Sequence, residues 1–447
     1  MTERTIIINK QADRAHIAQP DLNFTPEFND ANPVVRAYRK RAWESYKNKP
    51  LPRGNEEGWR RTSLKDIDFA GFRPINTFEY GTLEFPVGFG EPVAGHKNGG
   101  QLLISPVNSH IHIDESLQKQ GLVFDSLKNL VVSNPVLVEK ALTRVNLDDS
   151  DKFSALAGAL DFNGVLLYVP KNLQVPLPLQ SLYWAPTKGL AHSIHIFIYL
   201  EEGASATYVH EATSPRSITK DSLHAGLMDI YVGAGAHLNF VELQSWGENV
   251  INFTKENVVV ERDGSVDWIF GALGSKLTKN YSKLNLVGQG STGKMSGFYF
   301  TENMQHLDHD TQQNHLAAST ISDLLFKGAL LDKSRSVWQG MIYVAPQATK
   351  ADGYQANRNL ILSREARADS LPGLEILTDD VRCSHGATVG KIDQDQVFYL
   401  ESRGMPREAA ERLIVEGFFD PIMQRIPFEG VKKRFQEAIE EKMEHIG

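Results

Sequence analysis

The chain has 447 residues, 41% hydrophobic and 23% charged, enough for one large architecture or up to about three domains. Asp and Glu outnumber Lys and Arg by 55 to 47, a net charge of −8, which argues against nucleic acid or an anionic membrane as the main partner. With 35 Gly, 20 Pro and 1 Cys, collagen-like and disordered classes and any intramolecular disulfide are excluded. A reducing compartment is favoured, and a thiolate-rich zinc or iron–sulfur site cannot come from this chain alone.

Residues 1–95 read as an N-terminal helical region with a linker. The apolar run Ile6–Ile8 is too short for a secretory leader, and Glu3, Asp13, Asp21, Glu27 and Asp30 are too acidic for a transit peptide. A helix is predicted over Ala31–Trp43, capped by Asn32 with Pro33 in its first turn. Val34, Val35, Tyr38, Ala42 and Trp43 form its apolar side. The break at Lys49–Gly54 ends it, and Gly81–Gly100 reads as a Gly/Pro-rich linker.

Residues 96–404 read as a mainly β core. Short strands are predicted at Gln101–Ser105, Gly164–Pro170, Ile194–Leu200, Val258–Glu261 and Val337–Val344, with one helical interruption at Pro135–Arg144. So few helices exclude βαβ folds, which need a crossover helix after each strand. Stretches such as Ile194–Leu200 are strand-length, far below the ~20 residues of a membrane span, so a cytoplasmic protein without a membrane is expected. Gly203, Gly235, Gly264 and Gly293 each precede a strand-like run, a period of about 30 residues that favours a β-solenoid over a propeller or helical repeat. A β-sandwich is the alternative.

Residues 405–447 turn helical. Met405–Glu408 is a helix start, and Ala409, Ala410, Leu413, Ile414 and Phe418 form a stripe. Pro421 and Pro427 interrupt. Val431, Phe435, Ile439 and Met443 then recur every fourth residue, predicting an amphipathic helix that caps the solenoid end or docks on a partner.

Four segments could carry chemistry. Gly288–Lys294 has the GxxxxGK spacing of a P-loop, but Met295 stands where a Ser or Thr would bind magnesium and a strand follows, so a turn is expected. His306, His309 and His315 with Asp308 and Asp310 could chelate zinc or iron. On a strand, however, His306, Asp308 and Asp310 face one way and His309 and His315 the other, which favours a hydrated ladder edge or a dimer contact. Asp379–Thr388 holds the one cysteine, Cys383, two residues from His385. On a strand the pair shares a face and could serve nucleophilic catalysis, give two ligands to a metal centre completed by another chain, or be a buried thiol beside a bonded histidine. Asp308 with Asp310, or Asp379 with Asp380, could serve a β-helix carbohydrate-active enzyme, though the adjacent Asp379 and Asp380 face opposite ways. GxSxG, HExxH, paired CxxC and helix-opening GxGxxG motifs are absent.

The segment 350–418 resembles the C-terminal signature of the SufB/SufD family of iron–sulfur cluster assembly proteins. The matching runs are Asn357–Ser363, Leu374–Ile376, Asp379–Gly390, Val397–Leu400 and Ser402–Gly404, and upstream Pro50–Pro52, Glu57–Thr62, Lys152–Leu156 and Gly164–Pro170. The CSHGAT string and the single cysteine are closer to SufD than to SufB. The resemblance implies a right-handed parallel β-helix core between N- and C-terminal helical regions. It also implies a non-catalytic scaffold role in a complex with a SufB-like paralogue and a SufC-like ABC ATPase, with a homodimer when isolated. In that complex a nascent iron–sulfur cluster forms transiently at the paralogue interface, and reduced flavin serves as electron donor at a site the sequence does not locate. By residue matching His385 is the expected interface ligand or proton-transfer group, Cys383 a candidate thiolate, and Ala409, Leu413, Ile414 and Phe418 the ATPase dock.

Overall fold

The computed structural model describes residues 21–75, 85–86, 90, 98–145, 151–185, 189–216, 220–426 and 428–443. The Ile6–Ile8 run, most of the Gly81–Gly100 linker and Pro427 lie outside them.

From Gly164 the chain alternates between two sheets, laying one strand in each per coil. The first sheet stacks Gly164–Val169, Leu190–Leu200, Ser222–Val232, Val250–Val260, Leu277–Leu286, His306–His315, Arg335–Val344 and Arg367–Ile376 in that order, all parallel. The second stacks Leu179–Trp184, Ser205–Thr213, His237–Ser245, Ser265–Ala272, Thr292–Thr301, Ile321–Leu330, Ala351–Ile361 and Val381–Lys391. The result is a parallel β-solenoid of about eight turns with helices at both ends, as expected, and its parallel pairing excludes the sandwich.

Alternation along each strand explains the core. Every second side chain points into the lumen, and parallel stacking repeats each inward position on the next coil at about 4.8 Å. Leu200, Val232, Val260 and Leu286 form one such column. Tyr208, Phe240 and Trp268 form another, with ring centroids 5.8 Å apart at each step.

The repeat is set at a corner. Gly203, Gly235, Asp263, Gly290, Ser319 and Lys350 all have positive φ, and each donates its N–H to a carbonyl of the next coil. Gly264 and Gly293, read from the sequence as members of this series, are displaced from it. Gly264 lies one residue past Asp263, and Gly293 is the second residue of the strand Thr292–Thr301. The coils shorten here, with 28 residues from Gly235 to Asp263 and 27 from there to Gly290, so a constant period drifts off the corner.

At the N-terminal side, the helix Pro33–Asn48 is capped by Asn32, whose side chain accepts from the Val34 and Val35 amides. It buries Val35, Tyr38, Ala42, Trp43 and Tyr46, whereas Val34, expected on that side, is 39% exposed. It packs on the helix Lys152–Leu160, which lies on the first sheet with Phe153 stacked 3.7 Å from Phe253. Short helices Glu115–Lys119, Leu127–Ser133 and Pro135–Leu142 complete this side.

The C-terminal helices are Gln394–Ser402, Arg407–Met423 and Glu429–Met443. Pro421 does not end the second of them. Buried Phe419 and Ile422 hold it to the solenoid on either side of the proline. The last two helices lie on the outer face of the second sheet, against Val241, Ile269, Phe298 and Phe300. Val431, Phe435, Ile439 and Met443 are buried, with Phe435 4.2 Å from Phe298. The final helix thus follows the flank and does not cap the end, because the apolar groups that accept its stripe are on the flank. Lys442–Glu302 (2.6 Å), Arg425–Asp323 (3.4 Å), Arg434–Glu211 and Arg216–Glu441 strap the helices down. No helix among the described residues is long and apolar enough to cross a membrane.

Candidate functional site

The last coil is open. Arg367–Ile376 and Val381–Lys391 each pair on one side only, which leaves two adjacent strand edges with unpaired backbone groups. Leu374, Ile376, Leu377 and Val389 are exposed there.

Cys383 and His385 lie on this last strand, and the register defines their facing. Cys383 ends the inward column of Leu238, Val266, Gly293, Ser322 and Gly353, and His385 that of Phe240, Trp268, Met295, Leu324 and Gln355. Both therefore sit on the lumen side of the final coil, on one strand face as expected. Cys383 is half-buried against the cluster of Ile342, Val344, Ala345 and Ala348. Burial raises its pKa, opposed by the Gly353 N–H, so at neutral pH it is a thiol. A Cβ at Gly353 would stand 3.1 Å from His315 Nε2 and 3.3 Å from Cys383 Sγ, so the missing side chain leaves a slot between the two. His385 is exposed, its backbone paired in the ladder with Gln355. Beneath it, buried Gln355 donates to the carbonyls of Gly340 and Gly373, and its Oε1 has no partner among the described residues.

A thiol and an imidazole suit zinc or iron. Among the described residues, no group of three or more His, Cys, Asp and Glu side chains could hold a metal ion. Any metal at Cys383 and His385 would need ligands from beyond the described residues.

The other candidates are dispersed. His306–His315 is a central strand between Leu277–Leu286 and Arg335–Val344, so the expected ladder edge or dimer contact is corrected. Its alternation is as predicted. His306 meets Thr62 on the outer face, at 3.1 Å, and Asp308 pairs with Lys279 at 2.9 Å and accepts from Thr62. Burial raises Asp310 to about 6. On the inner face His309 stacks on Tyr299 and meets Phe270 edge-on, pushed down to about 3 by desolvation, and His315 bonds Thr320 and Ser322, pushed down to about 4. Gly288–Lys294 is a turn, with Gly290 at φ 74°, that runs into the strand Thr292–Thr301 and not into a helix N-terminus. Asp379 and Asp380 are in the bend before the last strand, and Asp380 accepts from the Lys350 N–H.

The stripe of Ala409, Leu413, Ile414 and Phe418 lies beside the face that the helix buries, which is Ala410, Val415, Phe419 and Ile422. Leu413 is 46% exposed and, with Ile414, Tyr399 and Leu400, lines an open cleft between Gln394–Ser402 and Arg407–Met423. Phe398 and Tyr399 are exposed beside it, an apolar surface that sequence reasoning left out although Val397–Leu400 is an unbroken apolar run. Phe418 turns towards the solenoid instead, its ring 4.7 Å from Lys327 Nζ.

Sequence reasoning also missed a polar interior. Glu242 and Glu256 occupy inward positions, Glu256 accepting from Asn280 (2.8 Å) and Ser282 (2.6 Å). Burial raises both carboxyls, Glu242 well above the carboxylate range with Glu256 beside it and Glu256 to about 7. His192, His210 and His224 are buried nearby, held neutral mainly by desolvation. The signal was their inward parity in strands otherwise read as apolar.

The fold is thus a parallel β-solenoid with an open final coil and helices strapped to its flank. Residues 183–418 match the family model for the SUF system FeS cluster assembly SufBD core domain, and residues 27–181 that for the SufBD protein N-terminal region. Over 318 residues the chain is 31% identical to an iron–sulfur cluster assembly SufBD family protein of Staphylococcus saprophyticus, and 30% identical to those of Staphylococcus aureus strain USA300 and Staphylococcus haemolyticus. In each case 71% of this chain and 68% of the relative are covered. The chain belongs to the SufBD family, which takes part in iron–sulfur cluster assembly.

Proposed function

We propose that this chain is a non-catalytic, SufD-like scaffold subunit of a cytoplasmic SufBCD-like complex. A SufB-like paralogue would cover the open final coil by continuing the two sheets across their free edges. The observation that carries the reading is that coil, which presents exposed apolar side chains, unpaired strand edges and the Cys383–His385 pair together. His385 would be an interface ligand or proton-transfer group for the nascent cluster, and Cys383 a thiolate once iron displaces its proton. The paralogue would complete the ligand set, and reduced flavin in the complex would supply electrons.

A SufC-like ABC ATPase would dock on the helical hairpin carrying Ala409, Leu413, Ile414 and Phe418, the first three beside or within its exposed apolar cleft. Only Ile392 and Asp393 separate the strand of His385 from the helix Gln394–Ser402. Movement of the hairpin on ATP binding would therefore pull directly on that strand and open the interface to iron and sulfide.

His385→Ala tests the site in vivo. It should abolish cluster assembly while paralogue and ATPase still co-purify in wild-type amounts. Normal assembly in the variant would sink the role of His385.

A further inference from the structure

On the outer face of the first sheet, against the helix Pro135–Leu142, lies a cavity of about 250 Å³ that opens to solvent. Its walls are apolar, built by Leu137, Ala141, Leu166, Phe197 and Val259. Protein interiors are close-packed, and an apolar recess with a few polar groups at fixed places is how small-molecule sites are made.

Two cations line the recess and differ in how they are matched. Lys140 pairs with Glu201 at 3.3 Å. Arg144 pairs with no carboxylate among the described residues. Its guanidinium lies over the rings of Tyr199 and Tyr231, 4.3 and 4.2 Å from their centroids, and it donates to the Tyr199 hydroxyl. The rings, themselves stacked at 4.9 Å, hold the guanidinium flat. Asp229, the carboxylate that lines the cavity, is bonded to buried His195 at 2.8 Å. Glu261 accepts from Tyr231.

We infer that this cavity binds a small organic monoanion, an aromatic body against the apolar walls with one carboxylate on Arg144. The planar guanidinium fork matches a carboxylate in two parallel hydrogen bonds. The volume is below the range of about 300–1,000 Å³ typical of drug-sized ligands, which limits the body to roughly two fused rings. Asp229 disfavours a second negative charge.

Calorimetric titration of the full chain with 2-naphthoate, and with uncharged 2-naphthol as control, tests this. Naphthoate should bind one to one. Arg144→Gln, a change at the surface, should weaken it at least tenfold, the loss of one charge-assisted contact, and leave naphthol affinity unchanged. Leu137→Trp, which fills the recess, should abolish both. Absence of naphthoate binding at millimolar concentration would overturn the inference, as would wild-type affinity in Arg144→Gln.

Discussion

Lys279 and Asp308 form an ion pair at 2.9 Å with side chains 0% and 1% exposed, on adjacent central strands beneath the N-terminal segment that contributes Thr62. Lys279→Met keeps the apolar stem and removes the charge. The pair itself gives little net stability, because two desolvated charges offset their own attraction, but breaking it strands a buried carboxylate at about 3–5 kcal/mol. At roughly 2 °C per kcal/mol for a chain of a few hundred residues, that is a fall in Tm of about 6–10 °C by scanning calorimetry at pH 7. The pH dependence identifies the cause. Burial already raises the Asp308 pKa against the lowering effect of Lys279, and the substitution removes that opposing effect. A carboxyl with a folded pKa above its unfolded value of about 3.9 binds more protons when folded, so stability increases as pH falls through the folded pKa towards the unfolded one. Lys279→Met should therefore recover part of its loss between pH 7 and pH 5 relative to wild type, and Lys279→Met with Asp308→Asn should not. An unchanged Tm at pH 7, or the same pH slope in both variants, would refute the reasoning.

Three further outcomes follow from the packing. Phe435→Ala, at a side chain 1% exposed and seated on Phe298 and Phe419, should cost about 3–5 kcal/mol, read as early loss of hydrogen-exchange protection confined to the C-terminal helices. Lys350→Gly relieves a non-glycine residue at φ 60° in the corner series and should raise stability by up to about 1 kcal/mol in denaturant titration. Glu242→Gln removes a carboxyl whose folded pKa is raised by burial and by Glu256, so its Tm should match wild type only below about pH 4, where the unfolded carboxyl is also protonated, and should exceed it at pH 7. As pH rises towards the raised folded pKa, wild type should lose stability relative to the variant.

The parts of this fold legible in the sequence are those with a strict period. Val431, Phe435, Ile439 and Met443 recur every fourth residue and are all buried, and the parity of the His306–His315 strand is as its alternation indicated. The corner was only half legible, because Asp263, Ser319 and Lys350 take the left-handed conformation that glycine signals elsewhere in the series. What could not be read is partner choice between elements. The final helix has a clear apolar stripe, but the groups that receive it, Phe298 and Phe300, belong to strands whose outward faces looked like ordinary alternation. The site shows the same division. Cys383 and His385 were assigned to one strand face by spacing, whereas their place on an uncovered final coil depends on the whole stack above them.

The most direct test of the scaffold reading is anaerobic affinity purification of the tagged chain from its native host, with iron, sulfide and co-purifying proteins quantified. The account predicts a P-loop ATPase and a cysteine-richer paralogue in near-stoichiometric amounts. Recovery of the chain alone, with neither partner and no iron or sulfide, would contradict it.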